Sequence, residues 1–187
     1  MVNGGEAHGD LVVFESAIGD GSDWHTCPVS SVAFFRNLNN GQRGHPSSSD
    51  ILRAFAEVGA SDARLVRSNG TVVFAGGAEQ AYRAAELLVE MSMWDDIVCV
   101  RDVEWIANTL NGMPAAVDLS RVEVTLFDER AVVELPLCGR RCEVIDGGAG
   151  YAITLNLIDR VSDGTPVVER ALGVRATSRG VSTLQLI

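Results

Sequence analysis

From Ser30 onward the chain alternates between short apolar runs and stretches in which apolar residues recur every three or four positions. Val32-Ala33-Phe34-Phe35 is a continuous apolar run of strand length, the pattern of a strand buried on both faces. A polar loop from Asn37 to His45 follows, then Pro46 and Ser47-Ser48-Ser49, residues that open helices. Ile51, Phe55 and Val58 recur at helical spacing, with Leu52 and Ala54 beside them, and Gly59 is a fitting stop. Ala63 to Arg67 and Thr71 to Phe74 read as strands, and Asn69-Gly70 between them predicts a hairpin. Ala81, Ala85 and Leu88 line one side of a helix over Ala78 to Met91, and Asp96 to Val100 is again strand-like. The order over 30–100 is β-α-β-β-α-β. With short loops and right-handed crossovers it predicts a ferredoxin-like sheet of four antiparallel strands, two helices on one face. The other face must be covered, or it is a binding or dimer surface.

The second half is predicted with less regular spacing. Asp102 caps a short helix in which Val103, Ile106, Ala107 and Leu110 align, ended by Asn111-Gly112 and Pro114. Val122 to Phe127 alternates as a strand, with Ala131 to Leu137 as its expected hairpin partner. Cys142 to Ile145 and Tyr151 to Ile158 flank the glycine-rich segment 146–150 and are expected to pair. Thr165-Pro166 starts a last helix and Gly173 stops it. The expected class is α+β: a ferredoxin-like subdomain over 29–101 and a smaller α+β subdomain over 102–187. Residues 1–28 read as a mobile acidic tail, in preference to an added edge strand built on Leu11-Val12-Val13-Phe14.

Composition narrows the chemistry. All 15 basic residues are arginine. Without lysine there is no Schiff base, no pyridoxal-phosphate anchor and no P-loop lysine. His45 is the one histidine of the body, since His8 and His25 lie in the tail. The net charge is −10, and Glu6, Asp10, Glu15, Asp20 and Asp23 of the tail supply half of it. No basic run offsets this, so neither nucleic acid nor a membrane surface is an expected partner. Four cysteines are too few for a disulfide scaffold, no apolar run reaches membrane-span length, and a reducing cytoplasm is the expected setting. No cofactor or metal site is expected.

Several segments resemble a known family. Val32-Ala33-Phe34-Phe35-Arg36-Asn37-Leu38-Asn39-Asn40-Gly41 is similar to the opening motif of the "domain of unknown function 1697" family, an apolar strand followed by L-L-R-G-I-N-V-G-G. Residues 68–74, Ser-Asn-Gly-Thr-Val-Val-Phe, resemble its S-G-N-V-V-F, and residues 172–183 its closing L-G-V-x-A-T-x-R-N-W-N-T. Asn37 and Gln42 stand where the family has glycine, and Gly180 and Val181 replace asparagine and tryptophan, the pattern of a divergent member. The resemblance implies an α+β fold with a ferredoxin-like N-terminal part, and it implies no activity. Carried onto this chain, the matched positions are Arg36, Asn39, Gly41, Ser68, Asn69, Thr177, Arg179 and Thr183.

The candidate ligand-binding set is therefore Arg36, Asn39, Gly41, Ser68, Asn69 and Arg179. Arg36, Asn39 and Gly41 lie where the first strand enters a loop before a helix, a place where an anion can meet a guanidinium and free helix N–H groups. The same residues also suit a loop tied to its own backbone. Arg67, Ser68 and Asn69 suit a hairpin tip, and Arg179 is expected to pin the chain end to the body through a carboxylate. Arg140 and Arg141 between Cys138 and Cys142 would favour thiolates, but the spacing matches no redox motif, and the expected reading is two cysteines in a solvated strand-turn region. Two readings follow. One is a non-enzymatic binding or association domain, for a second copy or a small anion. The other is an enzyme for a small anionic substrate, with arginine clamps and His45 or a carboxylate as base.

Overall fold

A computed structural model of the chain describes residues 30–187; residues 1–29, and with them the tail expected over 1–28, lie outside the described residues. The first six elements follow the order that the sequence spacing predicts, with the strand expected from Asp96 starting two residues later, at Val98. β1 is Ser30–Phe35, α1 Ser48–Glu57, β2 Arg64–Arg67, β3 Thr71–Ala75, α2 Ala78–Met91 and β4 Val98–Asp102. They form an antiparallel sheet in the order β2-β3-β1-β4, the ferredoxin-like order. Ser47 opens α1 with a capping box shared with Asp50. Gly70 closes the β2–β3 turn at φ +68, and a Cβ there would stand 2.9 Å from Leu38 Cβ. Position 70 thus needs glycine both for its backbone and for the close approach of the β1 loop.

The two faces of this sheet have different partners. Ala33, Phe35, Val72 and Phe74 pack under α1 and α2 with Ile51, Phe55, Ala81 and Leu88. Val32, Phe34, Val73 and Cys99 share a second cluster with Ile106, Val124, Leu126 and Leu184 from the C-terminal half. The face left open by the first half is therefore covered by the second. Burial on both sides is why β1 is apolar throughout rather than alternating.

The second half holds α3 (Val103–Asn111), β5 (Val122–Leu126), β6 (Leu137–Cys138), β7 (Cys142–Gly148), β8 (Tyr151–Asn156), α4 (Gly164–Leu172), β9 (Thr177–Gly180) and α5 (Val181–Leu184). Its sheet runs β6-β7-β8-β5-β9. The glycine-rich segment 146–150 is the β7–β8 hairpin with a register shift between Val144 and Asp146. The expected β5 partner, Ala131 to Leu137, does not pair with β5. Both edges of β5 are taken, by β8 and β9. Pro136 cannot donate to a ladder, and the 131–137 stretch makes only an isolated bridge, Val132 to Ala149, before β6 joins β7. α4 covers the outer face of this sheet through Val168, beside Phe127, Val144 and Ala152. Among the described residues no helix is long and apolar enough to cross a membrane.

Candidate functional site

Four elements end at one place: the loop after β1, the β2–β3 turn, β9, and the segment that opens α4. Between them lies a cavity of about 220 Å³ lined by Arg36, Asn37, Asn39, Asn69, Ser162, Thr165, Thr177, Ser178 and Arg179, with Phe35, Leu38 and Ala176. Four of the six residues singled out from sequence, Arg36, Asn39, Asn69 and Arg179, thus meet, although up to 143 positions separate them. Gly41 is exposed at φ +84, and exposed Ser68 uses its carbonyl to accept the Asn40 N–H at 2.8 Å; neither lines the cavity.

Arg179 is 7% exposed. Its Nε donates to Thr71 Oγ1 at 2.8 Å, and its Nη1 to Thr177 Oγ1 and the Ser178 carbonyl, both at 2.8 Å. Nη2 donates to the carbonyls of Phe35 at 2.9 Å and Asn69 at 2.7 Å. The guanidinium also lies over the Phe34 ring, 5.7 Å from its centroid. Every acceptor is neutral. Among the described residues the carboxylate expected from sequence is replaced by carbonyls and threonine hydroxyls, the oxygens available where β9 enters the interior beside the β2–β3 turn. Burial lowers the Arg179 pKa to about 10, so the group stays charged at neutral pH without an acidic partner among the described residues.

Arg36 is arranged differently. Nη1 meets Asp96 Oδ2 at 2.6 Å, Nη2 meets Glu169 Oε1 at 2.9 Å, and Nε donates to the Ala176 carbonyl at 2.9 Å. Burial alone would lower its pKa, but Asp96 and Glu169 outweigh it and the net direction is upward. Asp96 also accepts from Asn37 Nδ2 at 2.9 Å, and Glu169 from the Ala176 N–H at 2.9 Å. This network fastens the β1 loop and α4 to the strand leading into β4. Arg36 therefore forms a neutralised wall, while Arg179 supplies charge that no carboxylate among the described residues cancels.

The start of α4 adds donors. Asp163 is its N-cap residue but makes no side-chain cap bond. Arg141 holds that carboxylate instead, at 2.7 Å and 2.8 Å. The first-turn N–H groups of Gly164 and Thr165 have no acceptor inside the helix, and Ser162 and Thr165 beside them line the cavity. Thr165 Oγ1 and Ser178 Oγ lie 2.7 Å apart, and Ser178 Oγ lies 2.8 Å from Thr125 Oγ1. Gly164 sits on this chain of hydroxyls so closely that a Cβ would stand 2.7 Å from Thr125 Oγ1. These hydroxyls were not among the residues singled out from sequence. Their signal is present in hindsight: Thr125 and Thr154 are fully buried between apolar neighbours, Val124 and Leu126 in β5 and Ile153 and Leu155 in β8.

The remaining candidates lie elsewhere. His45 accepts the Asn39 N–H through Nδ1 at 3.3 Å and borders a separate surface depression with Asp50 and Met91. Arg36 and Arg179 therefore converge without it. Cys138 is exposed and Cys142 buried, and burial raises the Cys142 pKa rather than favouring a thiolate. Arg141, expected to act on the thiols, is spent on Asp163. Among the described residues no three His, Cys, Asp or Glu side chains are grouped to hold a metal.

No family model and no curated protein matches the chain. Among solved structures it is similar to the conserved bacterial protein SP0830 from Streptococcus pneumoniae, with a TM-score of 0.60 at 14% identity, over 84% of this chain and 95% of that one. At this identity the likeness establishes the α+β fold and nothing of its chemistry.

Proposed function

We propose that the chain is a non-enzymatic binding domain for a small oxyanion of the phosphate class, seated in the cavity between Arg179, Thr165 and Ser178. The observation that carries this is the Arg179 guanidinium: buried, charged, without a carboxylate among the described residues, and on the cavity wall. An anion there cancels a charge that the fold keeps out of water at a cost. Uncapped N–H groups of α4 and two hydroxyls supply short-range donors of the kind that hold phosphate oxygens. The volume suits an anionic group rather than a whole cofactor.

We also infer kinship with the "domain of unknown function 1697" family. In support, its opening and closing motifs, far apart in sequence, supply facing walls of this one cavity through Arg36, Asn39, Thr177 and Arg179.

The test is calorimetric titration with inorganic phosphate against wild type and Thr165→Val, at matched ionic strength. Stoichiometric binding by wild type that weakens at least about tenfold in the variant is expected, the loss of one hydroxyl donor to a charged ligand. Heats that follow ionic strength alone, equal in both proteins, would remove the proposal.

A further inference from the structure

Another cavity, about 240 Å³, lies between the end of α3 and the β7–β8 hairpin. Trp105, Asn108 and Thr109 line it from α3, and Asp146, Tyr151 and Ile153 from the hairpin. The Trp105 and Tyr151 rings stand 5.4 Å apart between centroids at 75°, so they meet as a corner rather than a flat platform. The Arg101 guanidinium lies over the Trp105 ring, 5.4 Å from its centroid, and Glu129 meets its charge at 2.9 Å. Among the described residues Asp146 is the one charged member of the lining. The register shift between Val144 and Asp146 brings it there. Without the shift the two would share a face, and Val144 packs with Phe127, Ala152 and Val168 under α4. The bulge instead sets Asp146 opposite Ile153, which packs with Tyr151 on the other face. The Gly147 N–H donates to Asp146 Oδ1 at 2.8 Å and orients the carboxylate. Its charge reaches the aromatic corner: burial first, and then Asp146, raise the Tyr151 phenol above its ordinary pKa. The described residues hold all 15 arginines of the chain, and none of them pairs with Asp146. The last turn of α3 has no basic residue either, so the negative end of its dipole adds to the carboxylate.

We propose that this cavity binds a small primary alkylammonium, its N–H groups directed at Asp146, Asn108 and Thr109 and its alkyl stem against Trp105 and Tyr151. The carboxylate and the helix end select a cation over an anion or a neutral molecule. The side-chain oxygens of Asn108 and Thr109 accept hydrogen bonds, which a quaternary ammonium has no proton to donate. Arg101 takes one face of Trp105 and the two rings meet at an angle, so a flat sugar ring finds no open platform, whereas a compact cation fits the corner. The volume lies below that of a drug-sized pocket and suits a head group with a few carbons. The chain has no lysine of its own to fill it. No lining residue is shared with the Arg179 cavity, so the two sites stand independently.

Heteronuclear NMR titration of the full chain with n-butylammonium chloride tests this, against sodium chloride at matched ionic strength. The expected result is a saturable shift of the Trp105 indole N–H. Asp146→Asn, which keeps the shape and removes the charge, should raise Kd about fivefold or more. Trp105→Leu, read at the Tyr151 ring, should raise it about threefold or more. Core amides of Val32 and Val124 report folding, and Asp146→Asn decides alone if the leucine chain does not fold. Tetramethylammonium, charged but without N–H groups, and n-pentanol, with the stem but no charge, should each bind about fivefold or more weakly than n-butylammonium. A shift that follows ionic strength alone, or equal affinity in Asp146→Asn, overturns the proposal. Equal binding of n-pentanol overturns it in favour of a merely apolar cavity, and equal binding of tetramethylammonium in favour of the aromatic rings alone.

Discussion

Replacing Arg179 by methionine keeps much of its apolar stem and removes both its charge and its donors. Two effects oppose each other. Burial shifts the guanidinium from 12.5 to about 10. That corresponds to a cost on the order of 3 kcal/mol for keeping it charged inside, which the variant escapes. Against this, five hydrogen bonds of 2.7–2.9 Å to Thr71, Thr177, Phe35, Asn69 and Ser178 disappear. At about 1–1.5 kcal/mol each they outweigh the relief, leaving a net loss of roughly 2–5 kcal/mol. For a chain of this length that lowers Tm by about 5–15 °C. Thermal unfolding followed by circular dichroism in phosphate-free buffer measures it. Arg179→Lys, which keeps charge but has fewer donors in the wrong geometry, should fall between the two. A methionine variant as stable as wild type, or more stable, would refute the reasoning, since the hydrogen bonds would then not exceed the burial penalty.

Arg36→Leu should cost about 1–3 kcal/mol by chemical denaturation, because Asp96 and Glu169 lose a shared cation but keep other donors, and phosphate affinity should change much less than with Arg179 variants. Gly164→Ala should destabilise by about 1–3 kcal/mol despite alanine's better helix propensity, since its Cβ would meet Thr125 Oγ1 at 2.7 Å and Thr154 Oγ1 at 3.0 Å; a stabilised variant would show that α4 shifts freely. Burial pushes the Cys99 thiol up to about 11 from 9.0. Its contribution is therefore whole below pH 9 and lost as pH rises from 9 through 11, and Cys99→Ala should flatten that part of the stability curve.

The first half was legible because its signals are local. Ser47 caps what it was expected to cap, and Asn69-Gly70 turns where two strand runs meet. The hairpin assigned to Ala131–Leu137 failed because both neighbours of β5 come from farther along the chain, a pairing that periodicity does not encode. For the site, Arg36, Asn39, Asn69 and Arg179 were named one by one, but their meeting depends on tertiary folding. The partner of Arg179 was misjudged for the same reason: charge pairing is the default for an arginine read in isolation, and the acceptors here are backbone carbonyls of remote segments. Thr165 and Ser178 read as a helix start and a strand residue, and only the approach of α4 to β9 gives them a shared role.

The most direct test of the anion site is a crystal structure determined with phosphate at a concentration that saturates the calorimetric binding. The expected result is tetrahedral density in the cavity between Arg36 and Thr165, within hydrogen-bond distance of Ser178 or Thr165 and of the α4 N–H groups, with the Arg179 guanidinium facing it. An empty cavity, with phosphate bound only at exposed arginines such as Arg140 or Arg170, would contradict it.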